Sequence, residues 1–401
     1  MPLNTDGITF AVGSQEVLEQ MPSLPALPIF SDAAIGLLDE ISKRLLKSGE
    51  TRTHSDVRTF AFWCRRANTT KMKRNYEGKG LRIGRGIVFH IAPSNVAVNF
   101  AYSFASALLA GNASIVRLPS KAFAQVDLIC DAVNEVLCSN CTGLIPYIFF
   151  IRYEHSDEIN RMLTALCDVR VIWGGDRTIA DLRKASLKPR ANEITFADRY
   201  SICILNAESY LATEKKDVVA NDFYNDTYLT DQNACTSPRL VVWLGKNIEK
   251  AQKIFWEYLN LSIKKKYTFQ QKQSLDKLTA MCLLFEAEPC ARIIKTEDNI
   301  ITRIHLDGLN NRIMSYRESS GFFMEYAAKS LNEIYPVCGE KCQTLSYYGI
   351  NVLDIHDFLN EYRPAGIDRV VPIGKTMDFS LFWDGYDLVE SMSRVVDFFT
   401  E

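Results

Sequence analysis

The chain reads as an α/β protein of two successive lobes, each a largely parallel sheet between helices, preceded by a helical segment. Three observations predict this. From about residue 86, short apolar runs alternate with amphipathic stretches, the pattern of strand–helix–strand units that build parallel sheets. The alternation restarts after a strand at Ser201–Leu205. The length, 401 residues, also exceeds what one small core organises. The expected division gives residues 1–197 to a first domain, with residues 1–80 as its helical start, and residues 198–401 to a second.

The elements follow in order. After a loose start punctuated by Pro22, Pro25 and Pro28, Ser31 and Asp32 can cap a helix with Ile35, Leu38, Ile41 and Leu45 on one face, ending near Gly49. A second helix follows Ser55, with Val57, Phe60, Ala61 and Cys64 inward. Strand Ile87–Ile91 leads to a helix of small residues over 97–110, stopped by Gly111-Asn112. Strand Ser114–Leu118, a helix carrying Val126, Ile129, Val133 and Val136, and strand Tyr147–Ile151 come next. A helix capped by Ser156 leads to strand Val169–Trp173. In the second lobe, strand Leu240–Leu244 and helix Ile248–Leu261 are the clearest elements, and a closing helix is expected near Tyr386–Phe398.

Composition excludes several classes. A net charge of −2 offers no broad field for nucleic acid or an acidic membrane surface. No apolar stretch approaches the roughly 20 residues that span a bilayer. The start, MPLNTDGITFAVG, has no basic segment followed by an apolar run, so no signal peptide is expected and a cytoplasmic location follows. Eleven cysteines then read as free thiols. The pairs Cys138/Cys141 and Cys338/Cys342 lack the context of a zinc knuckle, and the histidines, His90 and His155 among them, show no metal spacing. No metal site is expected.

Three segments carry chemistry. Cys235 sits in DQNACTSPRL among the small residues Ala234, Thr236 and Ser237, just before a strand. A carbonyl can approach such a thiol closely, and backbone N–H groups there can stabilise a thiolate and an oxyanion. In the segment over 86–121, a strand ends at Ala92-Pro93 and a loop presents Ser94 and Asn95 ahead of a helix. That is the carboxyl edge where α/β sheets bind ligands. Asn95 can serve there as a helix N-cap, as a donor to a carbonyl oxygen, or as both. In VIWGGDRT, Gly174 and Gly175 follow a strand and allow close backbone approach to a pyrophosphate. The usual GxGxxG fingerprint is missing.

In this order, the segments resemble those of the acyl-CoA reductase (LuxC-type fatty-acid reductase) family, a divergent branch of the aldehyde dehydrogenase superfamily. APSNVAVNF and LLAGNASIVRLPS are similar to the superfamily's Pro-x-Asn turn, helix and Gly-Asn strand. VIWGGD, FADRYS, QNACTSP, QTLSYYG (343–349) and GIDRVVPIG…WDGYDLVESMSR (366–394) are similar to the narrower family. The resemblance spans roughly residues 55–399. It implies an aldehyde-dehydrogenase-like fold of two Rossmann-like, three-layer α/β/α lobes, the first binding cofactor and the second carrying the nucleophile. It makes Cys235 the nucleophile, and Asn95 with the Cys235 backbone N–H the oxyanion hole. Ser94, Gly174 and Gly175 fall by the cofactor, Arg117 by the adenosine ribose, and Glu333 in NEIYPV by the nicotinamide ribose, although the glycine expected before Pro336 is absent.

Two departures from the superfamily sharpen the expected chemistry. Members that hydrolyse their acyl-enzyme carry a glutamate general base where this chain has Phe196. Without it the thioester persists until hydride or a thiol reaches it, which favours reduction to an aldehyde. Asp198 is a candidate replacement base, though an Asp198–Arg199 ion pair is the expected reading. NAD-preferring relatives often place a glutamate where this chain has Ser120, flanked by Arg117 and Lys121; a hydroxyl between two cations suits the 2′-phosphate of NADPH over NADH. The expected activity is reduction of an acyl-CoA, or another activated acyl group, to an aldehyde. The alternative is acyl transfer from the same acyl-cysteine without redox chemistry. Chain length of the acyl group is not legible, and the sequence leaves room for a homo-oligomer and for a protein that supplies activated acyl groups.

Overall fold

The chain opens with a strand that its loose, proline-rich start does not announce. A computed structural model describes residues 5–94, 96–139 and 143–399. β1 (Thr9–Val12) is followed by the short helix α1 (Gln15–Gln20) and the capped helix α2 (Asp32–Lys47), where Ser31 Oγ accepts from the Ala34 N–H at 3.3 Å. α3 (Ser55–Trp63) and α4 (Arg66–Arg74) complete the helical start, and β2 (Leu81–Gly84) ends it.

The alternation then appears as expected: β3 (Ile87–Ile91), α5 (Asn99–Leu109), β4 (Ala113–Arg117), α6 (Ala124–Ser139), β5 (Ile148–Arg152), α7 (Asp157–Leu166), β6 (Val169–Trp173), α8 (Asp176–Leu182) and β7 (Asn192–Phe196). These strands form one sheet in the order β1-β5-β4-β3-β6-β7. All neighbours are parallel except β1, which lies antiparallel on β5. β3 is buried along its whole length, as a central parallel strand covered on both faces must be. The order β5-β4-β3-β6-β7 is that of a doubly wound sheet, with the direction of winding reversing at β3 and β6.

The Gly111-Asn112 stop is a clamp as well as a helix end. Gly111 has φ +87°, and a Cβ there would lie 2.1 Å from the Leu27 carbonyl oxygen, so only glycine fits. Asn112 is fully buried. Its Oδ1 accepts from the Arg85 and Gly86 N–H groups at 2.7 and 3.1 Å, and its Nδ2 donates to the Ala107 and Met392 carbonyls at 3.2 and 3.0 Å.

A second sheet has the order β10-β11-β12-β9-β8-β13-β14. Its elements are β8 (Tyr200–Asn206), α9 (Ala207–Ala212), α10 (Lys216–Asp226), β9 (Pro238–Leu244), α11 (Ile248–Lys266), α12 (Gln271–Ala287), β10 (Arg292–Ile294), β11 (Thr302–Leu306), β12 (Phe322–Ala327), β13 (Cys342–Tyr348), α13 (Val352–Tyr362) and β14 (Arg369–Pro372). Alternate residues of β8 and β9 feed two cores, one on each face. Ile202, Ile204, Leu240 and Val242 pack with Leu284 and Phe358, while Cys203, Leu205, Val241 and Trp243 pack with Phe223 and Phe255.

The end of the chain corrects an expectation. No long helix covers Tyr386–Phe398. Two short strands, β15 (Phe382–Trp383) and β16 (Tyr386–Asp387), precede the five-residue α14 (Leu388–Met392), which Asp387 caps, and β17 (Ser393–Val396). β17 pairs antiparallel with β2; its valines favour a strand once a partner edge is present. Residues 380–401 thus group with residues 1–197 in one compact unit and residues 198–379 form the other, whereas the expected division at residue 197 places 380–401 in the second domain. Among the described residues, no helix is long and apolar enough to cross a membrane.

Candidate active site

The predicted cofactor segments of the first unit emerge from three adjacent parallel strands. Ser94 follows β3, Arg117 ends β4, and Gly174-Gly175 follow β6; Ile91 is level with both Arg117 and Ile172. All therefore lie at the carboxyl edge of the first sheet, beside the point where its winding reverses. Ser94 is exposed. α5 begins only at Asn99, with Val98 at its N-cap position. Asn95 lies outside the described residues.

At this edge a cavity of about 360 Å³ is lined by residues of α7 and α8 and by Arg117. The Arg117 guanidinium lies over the Tyr153 ring, 4.4 Å from its centroid, and donates to the Tyr153 carbonyl at 3.4 Å. Tyr153 is held in turn by its hydroxyl, which donates to Asn160 at 2.7 Å. Asn160, Arg161, Thr178 and Lys184 also line the cavity. A Cβ on Gly174 would meet the Thr178 side chain at 3.1 Å, whereas one on Gly175 would meet open space. Glycine at 174 thus permits close packing of β6 against α8, and the backbone at 175 is left uncovered. Ser120 and Lys121 are exposed in the turn beyond β4, with the Lys121 ammonium 5.2 Å from the Phe123 ring centroid. They are not among the residues lining the cavity.

Phe196, which the resemblance sets at the place of a general base, is buried at the end of β7. It stacks on Trp173, whose indole N–H donates to Ser103 at 3.1 Å. Ser103 also shares a 2.7 Å hydrogen bond with His90 Nδ1. Burial lowers the His90 pKa to about 3, so the imidazole is neutral. His90 is a packing residue, as its sequence context suggested.

Cys235 lies in the turn ahead of β9, at the amino edge of the second sheet. Among the described cysteines it alone is half-buried. Burial pushes the Cys130 and Cys167 thiols up to about 12, which leaves them inert at neutral pH. The Cys235 loop is tightly held. Asp231 and Gln232 both have positive φ, 53° and 55°. The buried Gln232 amide donates to the Pro238 carbonyl at 2.9 Å and accepts from the Gly321 and Phe322 N–H groups at 2.8 and 3.1 Å. The Arg239 guanidinium donates to the Glu318 and Gln232 carbonyls and interacts electrostatically with Cys235. Burial lowers its pKa to about 10, so it remains a cation at neutral pH.

Two further residues at this edge escaped the sequence reading. Gln343, at the start of β13, donates from Nε2 to Cys235 Sγ at 3.3 Å. Ser201, at the start of β8, donates to the Cys235 carbonyl at 2.7 Å and accepts from the Thr344 N–H at 3.3 Å. Strands β13, β8 and β9 are neighbours, a juxtaposition of residues far apart in sequence. Both lie in family-like motifs, Ser201 in FADRYS and Gln343 in QTLSYYG, the one signal the sequence carries for them.

One expectation changes in detail. Asp198 does not pair with Arg199: it binds Arg317 at 2.7 Å with Lys341 at 3.9 Å, while Arg199 pairs with Asp368. Glu333, in a 3₁₀ turn after β12, accepts from the Tyr326 hydroxyl at 2.5 Å and the Lys329 N–H at 3.3 Å. Burial, with the Glu333 carboxylate beside it, pushes Tyr326 up to about 12. Among the described residues, no group of three His, Cys, Asp or Glu side chains could hold a metal ion.

The fold is that of the aldehyde dehydrogenases. Lactaldehyde dehydrogenase from Escherichia coli is 13% identical with a TM-score of 0.65, over 95% of this chain and 88% of that one. An NAD-dependent benzaldehyde dehydrogenase from Corynebacterium glutamicum is 12% identical with a TM-score of 0.64, over 98% of this chain and 95% of that one. A 1-pyrroline-5-carboxylate dehydrogenase from Thermus, solved with bound NAD, is 12% identical with a TM-score of 0.64, over 94% of this chain and 82% of that one. No curated protein sequence matches significantly. The model of the acyl-CoA reductase (LuxC) family matches residues 66–281, more than half of the chain, and the chain belongs to that family. It is accordingly an oxidoreductase.

Proposed function

We propose that the chain reduces an acyl-CoA, or another activated acyl thioester, to an aldehyde through an acyl-cysteine at Cys235, with NADPH as cofactor. The observation that carries this is the setting of Cys235: a half-buried thiol in a pinned turn, among small neighbours and within the field of Arg239. Its thiolate attacks the acyl carbonyl, and the negative charge that develops on oxygen is assigned to the Cys235 backbone N–H and the Asn95 amide. The tetrahedral adduct expels the donor's thiolate and leaves a thioester on Cys235. Once that thioester is reduced, Cys235 leaves the thiohemiacetal as a thiolate and the aldehyde is released, its hydroxyl proton lost to solvent.

The residues of the first unit fit a dinucleotide. The cavity beside Arg117 has the size of a small-molecule site. Arg117 and Arg161 there offer cations to phosphate or ribose oxygens, Lys184 is paired with Asp181 at 2.8 Å, and the backbone at Gly175 is open to a pyrophosphate. Ser94, Ser120 and Lys121 complete the set assigned in this unit, Ser120 and Lys121 lying outside the cavity lining and assigned to a 2′-phosphate, and Glu333 of the second unit is assigned to the nicotinamide ribose. A nicotinamide held by these residues would supply hydride. Phe196, stacked on Trp173, offers no carboxylate to activate water, which supports reduction over hydrolysis.

Adding acyl-CoA to the chain with NADPH should oxidise the cofactor, read as lost absorbance, and Cys235→Ala should abolish that loss. Acyl transfer to an added amine or thiol with no change in absorbance would replace this reading by the non-redox alternative.

A further inference from the structure

The geometry points to Gln343 as a catalytic residue, whose buried amide donates to the Cys235 sulfur, favours its thiolate and fixes its direction of attack. The inference rests on the reading of Cys235 as the nucleophile.

Gln343 is 1% exposed at the start of β13. Its Nε2 stands 3.3 Å from Cys235 Sγ. The other end of the amide accepts from the Thr344 hydroxyl at 3.3 Å, which supports the orientation that turns the N–H₂ group toward sulfur. A neutral thiol is a weak acceptor, whereas a thiolate receives a charge-assisted hydrogen bond. A donor on the charged form stabilises that form, the more so where water is excluded. The main chain is tied to the same strand, because Ser201 Oγ bridges the Cys235 carbonyl and the Thr344 N–H. Sulfur and backbone are therefore both referred to adjacent residues of β13. That fixes the nucleophile more firmly than its loop could alone.

Charged groups among the described residues face the sulfur from β9 and the segments packed against it. Arg239 on β9 acts on it directly, and Arg317, Glu318 and Asp198 surround Arg239, with Lys341 beside Asp198. Gln343 has no charge of its own, so its removal changes hydrogen bonding while these groups stay.

The test is the rate of iodoacetamide alkylation at Cys235, read by peptide mass spectrometry on the full chain across the neutral to alkaline range, for the wild type, Gln343→Leu and Gln343→Glu. Gln343→Leu should move the midpoint to higher pH and slow alkylation near neutral pH about tenfold, the loss expected for one hydrogen bond to a charged group. Gln343→Glu, nearly the same shape, should move it further by placing a carboxylate on the sulfur. Labelling of the exposed Cys282 and Cys290 should not change, and the buried Cys203 reports whether the fold is kept. A Gln343→Leu profile that overlays the wild type, with Cys203 still protected, overturns the inference. If Cys203 becomes labelled in that variant, Gln343→Glu decides, and an unmoved midpoint there overturns it equally. Alkylation needs no acyl donor, so this result is independent of whether Cys235→Ala still turns over.

Discussion

Phe196 stacks on Trp173 across the neighbouring strands β7 and β6, with ring centroids 3.7 Å apart and planes 20° apart. The side chain is committed to packing and, on the proposed reading, stands where a water-activating carboxylate would otherwise be. Without reduced cofactor, the chain should therefore release a single equivalent of CoA from acyl-CoA and stop. Continuous release, followed with a thiol reagent, would show that water is being activated by another group. Phe196→Ala should cost about 3 kcal/mol in urea unfolding, the usual loss for a buried aromatic.

Arg117 is oriented by Tyr153 through ring contact and a carbonyl hydrogen bond. Arg117→Gln should raise KM for the reduced dinucleotide about tenfold and leave kcat nearly unchanged, since it removes a contact made equally in ground and transition states. Ser120→Glu should lower kcat/KM for NADPH about tenfold while sparing NADH, because a carboxylate would face the 2′-phosphate. Steady-state kinetics with both cofactors check both statements.

Asp226 is fully buried, and its two oxygens accept from the Gly374 and Thr376 N–H groups at 2.7 and 3.1 Å. Burial raises its pKa to about 7, against an ordinary value near 3.8. Between those values the folded chain keeps a proton that the unfolded chain has lost. Its contribution to stability therefore falls as pH rises from about 4 to about 7, then levels. Asp226→Asn removes this titration. The difference in urea midpoint between wild type and variant should fall with pH across that window, and a constant difference would show that Asp226 is ionised throughout.

The parallel strands were legible because each is a short apolar run bounded by turn residues, as in Ile87–Ile91 and Val169–Trp173. β1 was not: TFAV is too short to show a period, and only pairing with β5 makes it a strand. The C-terminal segment failed for the same reason, since β17 depends on β2, some 310 residues earlier. At the proposed site, Cys235, Arg117 and the glycines are assigned through motifs and family likeness. Gln343 and Ser201 were not singled out, because no local pattern tells that β13, β8 and β9 are adjacent. Asn112 is the reverse case. Its motif marks a helix stop, and its four hydrogen bonds show that it also ties together the Arg85–Gly86 turn, α5 and α14.

The most direct test is intact-mass analysis after mixing the chain with an acyl-CoA and no reductant. The expected result is one added acyl group, mapped by peptide analysis to Cys235, absent in Cys235→Ala and discharged as aldehyde when NADPH is supplied. An acyl group found on another residue, or aldehyde formed by Cys235→Ala, would contradict the assignment of Cys235 as the nucleophile.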